Sequence, residues 1–568
     1  MEKRRMVIYQ LLPRLFGNKQ SSNIKGGTLA QNGSGKFSAI DEAALAAIAD
    51  LGATHIWYTG VLEHATCTDY SAYGIVRDSR DVVKGEAGSP YAIKDYYDVD
   101  PDLADVVDRR MKEFEALVER THKQGLKVLI DLVPNHLARQ YVSDAAPEGV
   151  VDFGAGDRRD LAFHKDNNFY YLPGARFDSP EAEERGERWE EEPARATGND
   201  CFKANPGHGD WYETVKLNYG VDFVGDSPED FDPEPDTWLK MRDVVLYWAD
   251  KGIDGFRCDM AGMVPIAFWR WMIGEVRRRY PKLLFIAEVY EQERYHDFIF
   301  KAGFDYLYDK VVLYDTLRAV LEGKAAASAL TAAWQQTDGL HGFLLYFLEN
   351  HDEQRLASDF FLGDGARALP GMVVTATMFN NPLLLYFGQE LGEPGMDEEG
   401  FSGVDGRTSI FDYWHPQTLQ LWQQGHWGEE GLSEASRRLR AAYKRLMKVL
   451  QEHPAFVKGR FYDLMWANED NPAFDAAALF AFLRYHEGRQ YLVVANFSEQ
   501  EQSFKLRIPS DAMQVCGMKA AWFYAGNDLL GGARKLQFPA QIALNGGLGA
   551  RMAARTAAVY ELSGSAVE

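Results

Sequence analysis

Four short apolar runs in this chain each end abruptly on polar residues, and that recurrence narrows the folds open to it. They are Lys127-Val128-Leu129-Ile130-Asp131-Leu132-Val133-Pro134-Asn135-His136, Gly255-Phe256-Arg257-Cys258-Asp259-Met260, Leu284-Phe285-Ile286-Ala287-Glu288-Val289 and Phe343-Leu344-Leu345-Tyr346-Phe347-Leu348-Glu349-Asn350-His351-Asp352. Each reads as a buried strand. Helical patterns flank them, Trp238 to Asp250 before the second and Phe268 to Arg279 after it. Strands whose C-terminal ends carry Asp, His, Arg and Glu match a parallel (β/α)8 barrel, whose active site lies at that face. In the second run, period-2 alternation points Arg257 and Asp259 to the same side. An arginine beside a carboxylate keeps the acid ionised and fixes its orientation. A structural ion pair would look the same in isolation; four such strand ends together favour chemistry.

The chain has 568 residues, too many for one compact domain and about right for a barrel with appendages. A net charge of −23 argues against nucleic acid or an anionic membrane as partner and leaves a neutral sugar open. The four cysteines, Cys67, Cys201, Cys258 and Cys516, are scattered with no C-x-x-C, so neither a zinc site nor a disulfide framework is expected. The basic start, Met1 to Arg5, precedes an apolar run that contains Gln10 and ends at Pro13 without a small-residue cleavage site. It reads as a first strand rather than an export signal, and a cytoplasmic protein is expected. No run is long and apolar enough for a membrane span.

The polar strand ends resemble, in order and spacing, the four sequence regions of the α-amylase superfamily, glycoside hydrolase family 13. D-x-x-x-N-H appears as Asp131 to His136, G-F-R-x-D as Gly255 to Asp259, the third region as Glu288, and N-H-D as Asn350-His351-Asp352. The resemblance implies a (β/α)8 TIM barrel over 1–136 and 216–452, an inserted domain B over 137–215 after strand three, and a C-terminal antiparallel β-sandwich over 453–568. The strands expected in that last part are Ala477 to Arg484, Gln490 to Ala495, Ser503 to Ile508 and Ala557 to Leu562. A helix is expected from Asp102 to Gln124. The acidic run Glu181 to Glu192 reads as a solvated helix face. Phe169, Tyr170, Tyr171, Trp211 and Tyr212 read as the inserted domain's own core, with groove lining as the alternative.

By this resemblance Asp259 is a nucleophile, Glu288 a general acid/base, and Asp352 a binder of sugar hydroxyls. Glu288 follows an apolar strand with no cation beside it in sequence, a setting that suits a carboxylic acid. Tyr91, in Ser89-Pro90-Tyr91-Ala92-Ile93-Lys94-Asp95-Tyr96-Tyr97, aligns with a tyrosine that stacks on the sugar, whereas Tyr96 and Tyr97 read largely as packing. His136, Arg257, Asn350 and His351 join it as substrate-binding residues. Asn135 matches an asparagine that helps bind calcium in many relatives. The chemistry requires no cofactor, and two features argue against a structural calcium. The loop from Gly17 to Lys36 offers Asn18, Asn23 and Asn32 but no carboxylate. Gly262-Met263 stands where classical α-amylases carry Lys-His, which also argues against ordinary endo-amylase specificity. The expected activity is retaining hydrolysis of α-glucans or maltooligosaccharides. The alternatives are a transglycosylase using the same intermediate and an inactive carbohydrate-binding protein.

Overall fold

The computed structural model describes residues 4–223, 225, 229–395, 404–532 and 535–566. Eight parallel strands form its centre: β1 (Val7–Leu11), β2 (His55–Tyr58), β3 (Lys127–Leu132), β4 (Gly255–Cys258), β5 (Leu284–Ala287), β6 (Tyr306–Tyr308), β7 (Leu344–Leu345) and β8 (Leu383–Tyr386). They hydrogen-bond in the order β7-β6-β5-β4-β3-β2-β1-β8. Tyr346 N to Pro382 O (3.1 Å) and Leu384 N to Tyr346 O (2.9 Å) close β7 onto β8. Ile8, Trp57, Leu129, Ile286, Tyr308, Leu345 and Leu384 form a buried cluster of their own, drawn from seven of the eight strands. Such a filled interior makes a barrel a packed core rather than a pore. The ladder of β7 is shorter than its apolar run. Phe347 and Leu348 stay buried while leaving the ladder, and carry the chain toward the polar end at Asp352.

Helices cover the barrel, including Glu42–Asp50, Asp236–Asp250, Ile266–Arg279 and Glu434–Glu452. The helix expected from Asp102 begins only at Arg110, after 3-10 turns at Pro101–Leu103 and Val107–Arg109. Glu113 explains the late start. Its carboxylate accepts from Asp105 N (2.7 Å) and Val106 N (2.9 Å), which holds the preceding backbone outside the helix.

The insertion after β3 stands on one hairpin, His136–Ala138 paired antiparallel with Thr214–Lys216. The acidic run inside it is not a solvated helix face. Only Ala182–Arg185 is helical, and Glu191 is buried between Arg139 (2.7 Å) and Arg195 (2.6 Å). A buried carboxylate needs such partners, and a charge count along the chain does not reveal them. Phe169, Tyr170, Tyr171 and Tyr212 are buried as core; Trp211 is only partly so.

The C-terminal part is a β-sandwich. One sheet runs Arg460–Asp463, Leu479–His486, Arg489–Asn496, Thr556–Ala566, Trp522–Asp528, Lys535–Pro539 in spatial order; the other pairs Gln502–Leu506 with Leu548–Met552. The expected strands are present. Those at 460–463, 522–528 and 548–552 mix polar and small residues, so alternation did not mark them, and the one at 535–539 alternates over only five residues. Among the described residues no helix is long and apolar enough to cross a membrane.

Candidate active site

The register of the barrel brings the polar strand ends together. Arg257 lies level with Asp131 on β3 and Ile286 on β5. Its guanidinium is 1% exposed and serves three acids: Nη1 meets Asp259 Oδ1 at 2.5 Å and Asp131 Oδ1 at 3.7 Å, and Nη2 meets Glu288 Oε2 at 2.9 Å. It is also surrounded by the rings of Trp57, Tyr91 and Tyr308, 5.4 to 5.5 Å from their centroids. The expectation that Glu288 lacks a neighbouring cation is therefore wrong. The cation comes across the ladder from β4, a neighbour that a single sequence does not display.

Three buried carboxylates share one positive charge. Burial pushes the Asp259 carboxyl well above the usual range; Arg257 pulls it back and the nearby Glu288 adds to the rise. Burial also lifts Asp131 to about 6 against Arg257. Asp259 thus sits among neighbouring acids that favour its protonated form against the pull of Arg257. Glu288 has further partners: Met260 N donates to Oε2 (2.7 Å) and Tyr290 Oη to Oε1 (2.5 Å). Met260 reaches it through a left-handed backbone, φ +42°, rare for a residue with a side chain.

Tyr91, His136, Asp259, Glu288, His351 and Asp352 line one cavity of about 340 Å³. Tyr91 Oη lies 2.6 Å from His351 Nε2, and the two rings stack 5.2 Å apart. His136 Nε2 lies 3.9 Å from Asp259 Oδ2. Burial, aided by Lys216 and Lys84, lowers His136 to about 3; burial and Arg257 lower His351 well below its ordinary value. Both imidazoles are neutral near pH 7 and act as hydrogen-bonding groups. Asp352 stands at the mouth, its side chain 42% exposed.

Two expected substrate-binding residues stand behind the cavity instead of lining it. Arg257 lies beneath the acids. Asn350 spends its Oδ1 on Asp352 N (2.8 Å) and Glu353 N (3.0 Å), fixing the turn that presents Asp352. Conversely, the cavity uses residues that were not singled out: Lys84, Ser89, Glu213, Tyr290, Ile410 and Phe411. Tyr290 was readable, being two residues past Glu288. Lys84 and Glu213 pair at 3.1 Å across two long irregular segments, where no sequence period operates.

The far wall comes from the loop between β2 and Ile93. Ala87 N bonds Phe411 O (3.1 Å), and Arg14 Nη1 bonds both Ile410 O (2.7 Å) and Gly88 O (3.2 Å). At Gly88, φ +77°, a Cβ would fall 1.7 Å from Ala65 O, so only glycine permits this closure.

Asn135 does not fit a calcium ligand here. Its Oδ1 accepts from the buried Lys216 ammonium (2.9 Å), which also meets Asp200 Oδ1 (2.5 Å), while its Nδ2 donates to Gly198 O (2.8 Å). A fixed positive charge already bridges barrel and insertion at that oxygen, and a divalent cation beside it would be repelled.

Comparison with known proteins agrees with this geometry. The family model described as alpha amylase, catalytic domain, matches residues 10–419. An alpha-amylase MalA from Haloarcula japonica is 27% identical over 400 residues, 69% of this chain and 45% of that protein. An alpha-1,4-glucan:maltose-1-phosphate maltosyltransferase from Cereibacter sphaeroides is 39% identical over 74 residues, 13% of this chain and 12% of that protein. The chain thus spans less than half the length of either relative. The crystal structure of a maltogenic alpha-amylase from Thermotoga neapolitana superposes with TM-score 0.63 at 18% identity, covering 100% of both chains, a likeness of fold. With the family model spanning the barrel and the acids gathered at its C-terminal face, the chain belongs to the alpha-amylase family.

Proposed function

We propose that this chain hydrolyses α-glucosidic bonds of α-glucans or maltooligosaccharides with retention, through a glycosyl-aspartate intermediate on Asp259. The observation that carries the reading is the shared guanidinium. Arg257 holds Asp259 on Nη1 and Glu288 on Nη2, which keeps the two carboxyl groups close. Retaining enzymes need about 5–5.5 Å between them, whereas inverting enzymes leave room for a water at about 6.5–9.5 Å. Asp259 attacks the anomeric carbon while protonated Glu288 delivers its proton to the departing glycosidic oxygen. Glu288 then takes a proton from water as that water displaces Asp259. Asp352 and the neutral His136 and His351 accept or donate hydrogen bonds to the ring hydroxyls, and Tyr91 offers its face.

The cavity supports attack at the non-reducing end. In the closed order of strands, β5 faces β1, so Glu288 lies across the mouth from the loops after β2 and β8. The acid faces the leaving group, and the opposite side therefore holds the sugar that is retained. The loops after β2 and β8 bring Lys84, Ser89, Ile410 and Phe411 to the cavity lining on that side.

Proton NMR of the first product of maltotriose tests the reaction. An α-anomer with a matching rise in reducing ends is expected. A β-anomer overturns retention, and longer oligosaccharides without new reducing ends overturn hydrolysis in favour of glycosyl transfer. Asp259→Ala should lack turnover.

A further inference from the structure

A second cluster of acids lies away from the catalytic cavity, where the hairpin of Leu62–His64 and Ile93–Val99 meets the start of the insertion. Glu63, Asp98 and Asp144 each present one carboxylate oxygen there, all within 4.8 Å of one another. The pairing register shifts on both sides of Glu63, and such bulges turn a side chain away from its regular direction.

Glu63 is the unexplained member. It is 1% exposed, and neither of its carboxylate oxygens has a hydrogen-bond partner. Every neighbouring charge is otherwise engaged. Arg110 Nε bonds Asp98 Oδ2 (2.7 Å) and its Nη2 meets Asp144 Oδ2 (3.0 Å). Asp95 is saturated by Ser143 Oγ, Asp144 N, Ala145 N and Tyr97 N. Lys94 is paired with Asp78 at 3.0 Å. One guanidinium thus stands against three carboxylates. Burial, reinforced by Asp144 and Asp95, drives the Glu63 carboxyl well above its ordinary range, so the ionised group is costly without a further cation.

We propose that Glu63, Asp98 and Asp144 bind a divalent cation, calcium by its chemistry, which ties the insertion to the barrel hairpin. The oxygen spacing suits this ion. Oxygen ligands lie about 2.3–2.6 Å from calcium, so two on opposite sides are separated by roughly twice that. All-carboxylate donors select a hard cation over zinc. Magnesium demands a tighter octahedron at about 2.0–2.1 Å, ill matched to ligands from three separate segments. Asp144, with its side chain 22% exposed, leaves an entry path and room for waters to complete the shell. The site is separate in its residues from Asn135 and Lys216 and uses none of the residues that line the catalytic cavity.

The full chain is stripped with a chelator, dialysed, and titrated with calcium chloride and, separately, magnesium chloride, following heat and thermal unfolding. Terbium luminescence sensitised by nearby tyrosines gives an independent signal. Expected is saturable binding of one calcium, tighter than magnesium, with a rise in Tm. Glu63→Gln and Asp144→Asn should each weaken it at least about tenfold. Asp144→Asn lies at the solvent edge and keeps the test open if Glu63→Gln folds poorly. No saturable calcium binding by the parent chain overturns the proposal. So does binding that survives unchanged in the variants, because the ion then lies elsewhere.

Discussion

Lys216→Met asks whether an ammonium performs the bridging work between barrel and insertion. Lys216 is 2% exposed, and its Nζ meets Asn135 Oδ1 at 2.9 Å and Asp200 Oδ1 at 2.5 Å. Methionine keeps the shape of the stem and removes the charge. Losing a charge-assisted hydrogen bond to buried Asn135 costs about 1.5–3 kcal/mol. The Asp200 partner is 44% exposed, so that pair contributes less than about 1 kcal/mol after solvent screening. Burial lowers the Lys216 pKa, which means that the folded state already bears a desolvation cost that methionine relieves. The net expectation is a destabilisation of roughly 1–3 kcal/mol. Urea denaturation followed by tryptophan fluorescence measures it. Because His136 pairs directly with Lys216 in the hairpin, KM for maltotriose should rise while kcat changes less. Calcium should leave the stability difference between variant and parent unchanged. A variant as stable as the parent would refute the reasoning, as would calcium closing the gap, since the position would then accept a metal.

Three further outcomes follow from the site. Met260→Val, with a β-branched residue at φ +42°, should cost on the order of 1–3 kcal/mol and lower kcat by displacing the N–H from Glu288, whereas Met260→Gly should keep kcat; equal kcat in both would mean the backbone strain is idle. His136 falls from 6.5 to about 3 on folding, so the unfolded chain binds its proton first and this group's contribution to stability is lost as pH falls from about 6.5 to about 3. The slope is roughly 1.4 kcal/mol per pH unit in that window, and urea midpoints of His136→Asn between pH 7 and 5 should show less dependence than those of the parent; identical slopes would argue against the burial effect. A maltoheptaoside blocked at its non-reducing end should be cleaved at least tenfold more slowly than the open sugar, while equal rates would mean that the wall of Lys84, Ser89 and Phe411 does not close the cavity.

What was legible in the sequence follows the range of the physical rule involved. Alternation within one strand places Arg257 and Asp259 on the same side, and apolar runs ending in polar groups mark the barrel's active face; both are local. The helical patterns from Trp238 to Asp250 and from Phe268 to Arg279 end where the helices end. The Lys84–Glu213 pair, the Lys216 bridge and the buried Glu191 join residues far apart in the chain, whose contacts no period encodes.

Arg257 shows why this difference matters for function. Read along the chain, it belongs to Asp259 alone, and the argument from it gives Asp259 and Glu288 separate environments: one beside a cation, one beside none. Read across the ladder, the same guanidinium touches both acids and Asp131 as well. The division of labour therefore does not come from one acid having the arginine and the other lacking it. It comes from what else each acid meets. Asp259 has His136 at 3.9 Å; Glu288 has Met260 N and Tyr290 Oη fixing its two oxygens. Three acids around one buried cation favour a structure in which a proton stays within the group, and burial raises both Asp259 and Asp131 accordingly.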